Sequence, residues 1–114
     1  MNDELAANAF SALGSATRVA LLRLLVRAGE QGMNVTQLRD ALDVPATTLS
    51  HHLNKLVSAA LVRQQRDGRA LVCCADYESI RHLTAFLMQD CCRGVFPAAA
   101  TRGAPPRPPR SRRS

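Results

Sequence analysis

Two pairs of adjacent cysteines, Cys73-Cys74 and Cys91-Cys92, are the residues of this chain with the most distinctive chemistry. Sequence neighbours do not readily reach relaxed disulfide geometry with each other. The chain is also expected in reducing cytosol, for reasons given below, where disulfides are uncommon. A disulfide framework is therefore the wrong reading, and thiol sensing, metal binding and plain core filling stay open. Soft thiolates suit soft, thiophilic centres. Cys91-Cys92 lies in Gln89-Asp90-Cys91-Cys92-Arg93-Gly94, where the Arg93 cation is expected to favour the thiolate. Neighbouring residues on a helix point about 100° apart, so both sulfurs can share one ligand only where the helix end frays or unwinds, which Gly94 permits. For Cys73-Cys74, strand alternation predicts Cys73 inward with Leu71 and Ala75, and Cys74 outward. A small buried hydrophobe is the ordinary role for the inward one.

A second set of candidate residues is polar. A helix predicted over roughly 46–59 carries an apolar stripe, Leu49, Leu53, Leu56 and Val57, and opposite it Thr47, Ser50, His51, Asn54, Lys55 and Ser58. Short polar side chains of this kind reach base edges or phosphates, and a helix about 10 Å across fits a major groove about 12 Å wide. Arg63, Arg66 and Arg69 follow on a predicted hairpin and add local positive charge. Alone, such a helix face is more often just solvated; the basic hairpin after it shifts the balance to nucleic acid. Of the adjacent histidines, one is expected to face DNA and one to pack, while His82 reads as a plain helix-surface residue.

Elements that would position these residues are legible from periodicity and caps. Residues 3–13 suit a short helix with Leu5, Ala9, Ala12 and Leu13 on one face. Ser15 is an N-cap for a second helix running to about Arg27, whose broad apolar surface suits a central position. Asn34 and Gln37 form a capping-box pattern ahead of a third helix that buries Val35, Leu38, Ala41 and Leu42. Pro45 is placed in the first turn of the fourth helix. Strands are predicted over Leu61–Gln65 and Ala70–Ala75, with Asp67-Gly68 as the hairpin signal. Asp76 then caps a fifth helix over about 77–92, with Ile80, Leu83 and Leu87 on its apolar face and Gly94 at its C-terminal cap. The fold class is mainly α with one β-hairpin, in the winged helix-turn-helix order α-α-α-α-β-β-α.

A chain of 114 residues, 46% of them hydrophobic, has room for one domain with a modest core, which pairing with a second copy would extend. The net charge of +6 divides unevenly. Residues 1–96, the expected DNA-binding and dimerisation domain, hold ten Lys/Arg against nine Asp/Glu and are only +1. Residues 97–114 hold five arginines and no acid, with five of the six prolines, and are expected to be a disordered Pro/Arg-rich tail. Such a tail attracts phosphate without sequence preference. No apolar run approaches the ~20 residues of a membrane span. Met1-Asn2-Asp3-Glu4 also lacks the basic start of a signal peptide, so a cytoplasmic protein with no membrane partner is expected. No phosphate-gripping Gly-rich loop, Ser/His/Asp set or paired-carboxylate constellation appears, so an enzyme is not expected.

Ala16-Thr17-Arg18, Thr47-Thr48-Leu49-Ser50-His51-His52-Leu53, Leu56, Ala60-Leu61-Val62 and Asp67-Gly68-Arg69 together resemble the ArsR/SmtB family of bacterial metal- and stress-responsive repressors. The resemblance covers about residues 5–94. It implies double-stranded operator DNA as partner, contacted by Thr47, Thr48, Ser50, His51, Asn54 and Lys55 of a recognition helix and by Arg63, Arg66 and Arg69 of the wing. It fits a homodimer joined through Leu5, Ala9 and Leu13 of the first helix and Ile80, Leu83 and Leu87 of the last. Two inducer patterns of the family are absent. Gln37-Leu38-Arg39-Asp40 stands where a Cys-x-Cys arsenic site would lie, and the last helix holds only His82 of a zinc-type His/Asp set. Cys91-Cys92 resembles a further branch in which adjacent C-terminal cysteines bind trivalent arsenicals. The implied inducer is trivalent arsenic (arsenite or methylarsenite) or antimony, held by Cys91 and Cys92, with Cys73 or Cys74 as a candidate third ligand. Two alternatives stand beside it. A thiol-based redox or sulfide-responsive repressor would need cysteines meeting across helices. An interaction module without DNA binding would have no use for the wing arginines.

Overall fold

Among the described residues, four of the five helices begin on a side chain that accepts an otherwise orphaned backbone amide. Asn2 accepts from Leu5 N–H at 2.9 Å and opens α1 (Asp3–Ala12). Ser15 accepts from Arg18 N–H at 3.3 Å and opens α2 (Ala16–Ala28). The reciprocal box of Asn34 and Gln37 opens α3 (Val35–Leu42) with bonds of 2.8 and 2.9 Å. Asp76 accepts from Ser79 N–H at 3.1 Å and opens α5 (Tyr77–Met88). The exception is α4 (Ala46–Ser58), whose N-cap is Pro45, one position earlier than expected and without a side-chain bond. This architecture comes from a computed structural model that describes residues 1–96, so the expected tail over 97–114 lies outside the described residues.

Leu21 and Leu25 of α2 are fully buried against Leu38 of α3 and Leu49, Leu53 and Leu56 of α4. Leu61, Val62, Cys73 and Ala75 close this core from the sheet. The helix α1 contributes only Ala6, Ala9 and Ala12 to it, a face of small residues. Between α3 and α4 the chain turns at Asp43, whose φ of 55° is the left-handed conformation that aspartate tolerates. Ala41, expected inside, is exposed. Among the described residues no single helix is long and apolar enough to cross a membrane.

The sheet has three antiparallel strands in the order β1 (Met33–Asn34), β3 (Ala70–Ala75), β2 (Val62–Asp67). Asp67 pairs with Ala70, so the hairpin loop is Gly68-Arg69 rather than the expected Asp67-Gly68. Gly68 has φ +66° and Arg69 does not share it, the glycine-first pattern of a type II′ turn. The two-residue β1 has no counterpart among the expected strands. It pairs Met33 with Cys73 and Asn34 with Val72, covering the edge that β3 would otherwise present.

Gly32, which leads into β1, is where this cover is tightest. A Cβ there would lie 2.3 Å from the Cys73 carbonyl oxygen and 2.7 Å from Cys74 Sγ, at a φ of +69°. Gly32→Ala should therefore lower unfolding stability by roughly 2–5 kcal/mol, combining left-handed strain with overpacking. Gly29→Ala, where φ is also positive but nothing lies within 4 Å, should cost less. Urea midpoints of the two variants measure the difference.

The helix α5 ends four residues short of the expected 92. Gln89 is its C-cap, so Gly94 is not the cap. The chain instead turns twice, with Asp90 at φ 61° and Cys92 at φ 65°. Cys91 N–H donates to the Met88 carbonyl at 3.0 Å and Arg93 N–H to the Asp90 carbonyl at 3.1 Å. Residues 89–96 are all exposed, so no packing draws the helix further.

Candidate functional site

Burying Leu49, Leu53 and Leu56 fixes the rotation of α4 and turns Thr47, Ser50, His51, Asn54 and Lys55 to solvent. Thr48, expected with them, is half-buried. An open cleft of about 520 Å³ runs between α4 and α1. His51, Asn54, Lys55 and Ser58 line one wall, and Asn8 and Ser11 line the other. Asn8 and Ser11 are not among the expected site residues, because two polar residues on the outer side of a short helix carry no distinguishing signal in the sequence.

The two histidines differ in their surroundings. His51 is exposed in the cleft, whereas His52 is half-buried with its Nδ1 3.0 Å from Nη1 of Arg18. Burial first, then the positive charges of Arg18 and His51, hold the His52 ring below the ordinary histidine value. Arg18 also donates from Nε to the Ala12 carbonyl, the last of α1. His82 is exposed on α5.

Register separates the three hairpin arginines. Arg63 is opposite Cys74 and Arg66 opposite Leu71, and residues three apart on a strand point to opposite faces. Arg66 shares the face of Gln64 and Val62, on the strand that packs against α4. Arg69 is exposed in the loop. Arg63 projects from the other side, its Nε 3.8 Å from Asp76 Oδ2, in a recess also lined by Glu30 and Glu78. Grouping Arg63 with Arg66 and Arg69 is thus corrected, since its guanidinium faces carboxylates behind the wing. Arg69→Ala should reduce the salt dependence of DNA affinity by roughly one phosphate contact, while Arg63→Ala should leave that slope unchanged. Plots of affinity against salt concentration separate the two.

The residues expected at a dimer face also divide. Ala9 and Leu83 are 2% and 4% exposed and belong to the core of the protomer, a correction to their expected place. Leu13 and Ile80 are half-buried against that core. Leu5 and Leu87 are 54% and 59% exposed. Between α1, α5 and the end of α4 lies a groove of about 250 Å³, with Leu5, Ala9, Leu61, His82 and Leu83 in its walls. Met88, Val95 and Phe96 extend the exposed apolar surface beyond it in sequence.

Cys91 and Cys92 are exposed, with their Sγ atoms 3.2 Å apart. The left-handed turns at Asp90 and Cys92 accomplish what helix fraying is expected to do. Arg93 is taken up by Asp90, Nη1 to Oδ1 at 3.3 Å. The Cys91 thiol is pushed up, first by its hydrogen bond with Cys92 and then by the charge on that sulfur. Arg93, engaged by Asp90, is not among the groups that set this shift.

Both sulfurs of the other pair are buried, Cys73 at 0% and Cys74 at 6% exposure. Cys73 Sγ accepts from Gln64 Nε2 at 3.6 Å, and burial pushes its thiol up. The outward placement expected of Cys74 is corrected, because β1 and the loop before it cover that face, and its Sγ donates to the Glu30 carbonyl at 3.2 Å. Among the described residues no group of three or more His, Cys, Asp or Glu is placed to share a metal ion. Neither Cys73 nor Cys74 is thus a third ligand for Cys91 and Cys92 within one protomer.

Residues 13–65 match a family model described as a helix-turn-helix domain. An uncharacterised HTH-type transcriptional regulator of Methanocaldococcus jannaschii is 42% identical over 65 residues, covering 57% of this chain and 71% of that protein. A protein named as a putative arsenical resistance operon repressor, ArsR, of Halobacterium salinarum is 39% identical over 59 residues, covering 52% of this chain and 45% of its own length. Among solved structures, an ArsR-like transcriptional regulator from Rhodococcus sp. RHA1 superposes with a TM-score of 0.67 at 26% identity, over 75% of this chain and 78% of that one.

Proposed function

Because this chain belongs to the ArsR/SmtB family of winged helix-turn-helix transcriptional regulators, we propose that it is a cytoplasmic homodimeric repressor, released from its operator by a trivalent arsenical that bridges Cys91 and Cys92. The α4 face of Thr47, Ser50, His51, Asn54 and Lys55 reads the major groove, and Arg66 and Arg69 of the wing hold the flanking phosphates. Two copies meet along the exposed sides of α1 and α5, where Leu5 and Leu87 supply apolar surface that a protomer leaves open.

The observation that carries the inducer reading is the pair of exposed thiols with sulfurs 3.2 Å apart, just beyond α5. A monosubstituted arsenic(III) dihydroxide reacts with two thiols by exchange. Two As–O bonds and two S–H bonds break, two As–S bonds form, and two waters leave. No oxidant or reductant is needed, and the two sulfurs of one chain suffice for methylarsenite. Arsenite and antimonite keep one hydroxide unless a third donor comes from elsewhere, so the monomethylated species is the better fit. Closing that ring fixes the conformation of residues 90–93, between α5 and Val95-Phe96. If α5 packs differently against its partner as a result, the spacing of the two α4 helices changes, and affinity falls by the difference in ligand affinity for the two states.

A randomised duplex library tests the DNA reading first. The protein should enrich paired, inverted half-sites centred about one helical turn apart. A pool that stays random after selection contradicts a repressor.

A further inference from the structure

We propose that Arg18 is the positioning residue of the recognition helix, its guanidinium tying His52 of α4 to the carbonyl end of α1. The role rests on the repressor reading, in which α4 is the helix that meets DNA.

Two features make such a tie consequential. The N-terminus of α4 is held by no side-chain cap, since Pro45 offers none. The α1 helix packs through three alanines, so little side-chain area fixes it against its neighbours. Arg18 reaches both helices from the first turn of α2. Its Nε donates to the Ala12 carbonyl, one of the C-terminal carbonyls that α1 leaves without an intrahelical partner. Its Nη1 lies 3.0 Å from His52 Nδ1. The planar fork of a guanidinium suits two simultaneous, divergent acceptors, and a lysine ammonium does not reproduce that geometry. His51, next along the helix, looks into the cleft between α4 and α1. Adjacent histidines thus work in opposite directions, one toward the groove and one back to the scaffold.

The tie sets the state of the ring. A guanidinium donates only, so Nδ1 must be bare and the proton must sit on Nε2. The charged groups facing His52 are Arg18 from α2 and His51 on its own helix, while α1 presents the Ala12 carbonyl to Arg18. Burial and both neighbouring cations favour the neutral ring. A histidine held below its ordinary value contributes its bond fully above that value and loses it as pH falls through the lowered one. Acid should therefore loosen α4 and weaken DNA binding. The sign is diagnostic, because protonating a histidine near phosphate would otherwise strengthen binding.

The test uses the full chain, a duplex enriched by the wild type, and NMR of the histidine ring nitrogens. In the wild type, His52 should be the Nε2–H tautomer with Nδ1 accepting, titrating below the ordinary histidine value. Its affinity should fall roughly tenfold as the pH is lowered from neutral through the His52 titration. Arg18→Lys, which cannot serve both acceptors, should bind roughly tenfold more weakly at neutral pH with its thermal unfolding retained. His52→Asn places an amide oxygen near the site of Nδ1 and should keep neutral-pH affinity while losing the acid weakening. Wild-type affinity in Arg18→Lys, or a His52 that titrates at the ordinary histidine value in both proteins, overturns the positioning role and leaves the repressor reading standing. A wild type that selects no duplex overturns the repressor reading, and this role with it.

Discussion

Leu87→Asp should yield a folded monomer that no longer holds its duplex at concentrations where the wild type is bound. Leu87 is 59% exposed in the protomer, so a charge there costs the single chain little. In a dimer built along α1 and α5 the same position is buried, and an unpaired carboxylate placed in an apolar contact is strongly disfavoured. A monomer holds one half-site and forfeits the effective concentration that linkage supplies, a loss of about 10²–10⁴-fold in affinity. Leu83→Asp makes the instructive contrast. Leu83 is 4% exposed inside the protomer core, so a charge there should unfold the chain rather than separate two folded ones. Sedimentation for mass, circular dichroism for fold and fluorescence anisotropy for DNA distinguish these outcomes. A Leu87→Asp protein with dimer mass and wild-type affinity contradicts the proposed interface.

The second large effect concerns ligand uptake itself. Methylarsenite should bind one per chain, with the mass gain of the arsenical less two waters. Cys91→Ser or Cys92→Ser removes one of two As–S bonds and the chelate with it, which should weaken binding by at least about 10²-fold. Cys73→Ser and Cys74→Ser should leave uptake unchanged, because both sulfurs are buried and engaged by Gln64 and the Glu30 carbonyl. The two pairs should also differ in thiol labelling, with Cys91 and Cys92 alkylated in the native protein and Cys73 and Cys74 only once it is unfolded. Retained one-to-one uptake in the Cys91→Ser protein places the arsenical elsewhere.

Features set by local rules are legible in the amino-acid sequence alone. Ser15, the Asn34/Gln37 box and Asp76 start helices because a side-chain oxygen within three residues satisfies a backbone amide, which a short stretch of sequence suffices to reveal. The stripe of Leu49, Leu53 and Leu56 likewise fixes which side of α4 faces water. Features set by contacts between distant segments are not legible in this way. The two residues of β1 are too few for a periodicity, yet the loop that leads into them brings Glu30 and Gly32 over Cys74. An apolar stripe does not say whether it packs within the protomer or against another, so periodicity groups Ala9 and Leu83 with Leu5 and Leu87. The opposite orientation of Arg63 and Arg66 is available in principle, since strand alternation dictates it. The contact between Arg18 and His52 joins residues 34 apart with no local signature. The end of α5 comes early because residues 89–96 have nothing to pack against.

Titrating methylarsenite into the complex of the protein with its enriched duplex, for the wild type and for the Cys91→Ser, Cys92→Ser double variant, tests the central claim most directly. The wild type should lose about 5–150-fold in DNA affinity as the ligand saturates, the range of ordinary coupling between sites. The double variant should bind the duplex as the wild type does without ligand, and keep it at every methylarsenite concentration. Release of the double variant at the wild-type concentration, or a wild type that takes up the arsenical and stays on DNA, would contradict the account.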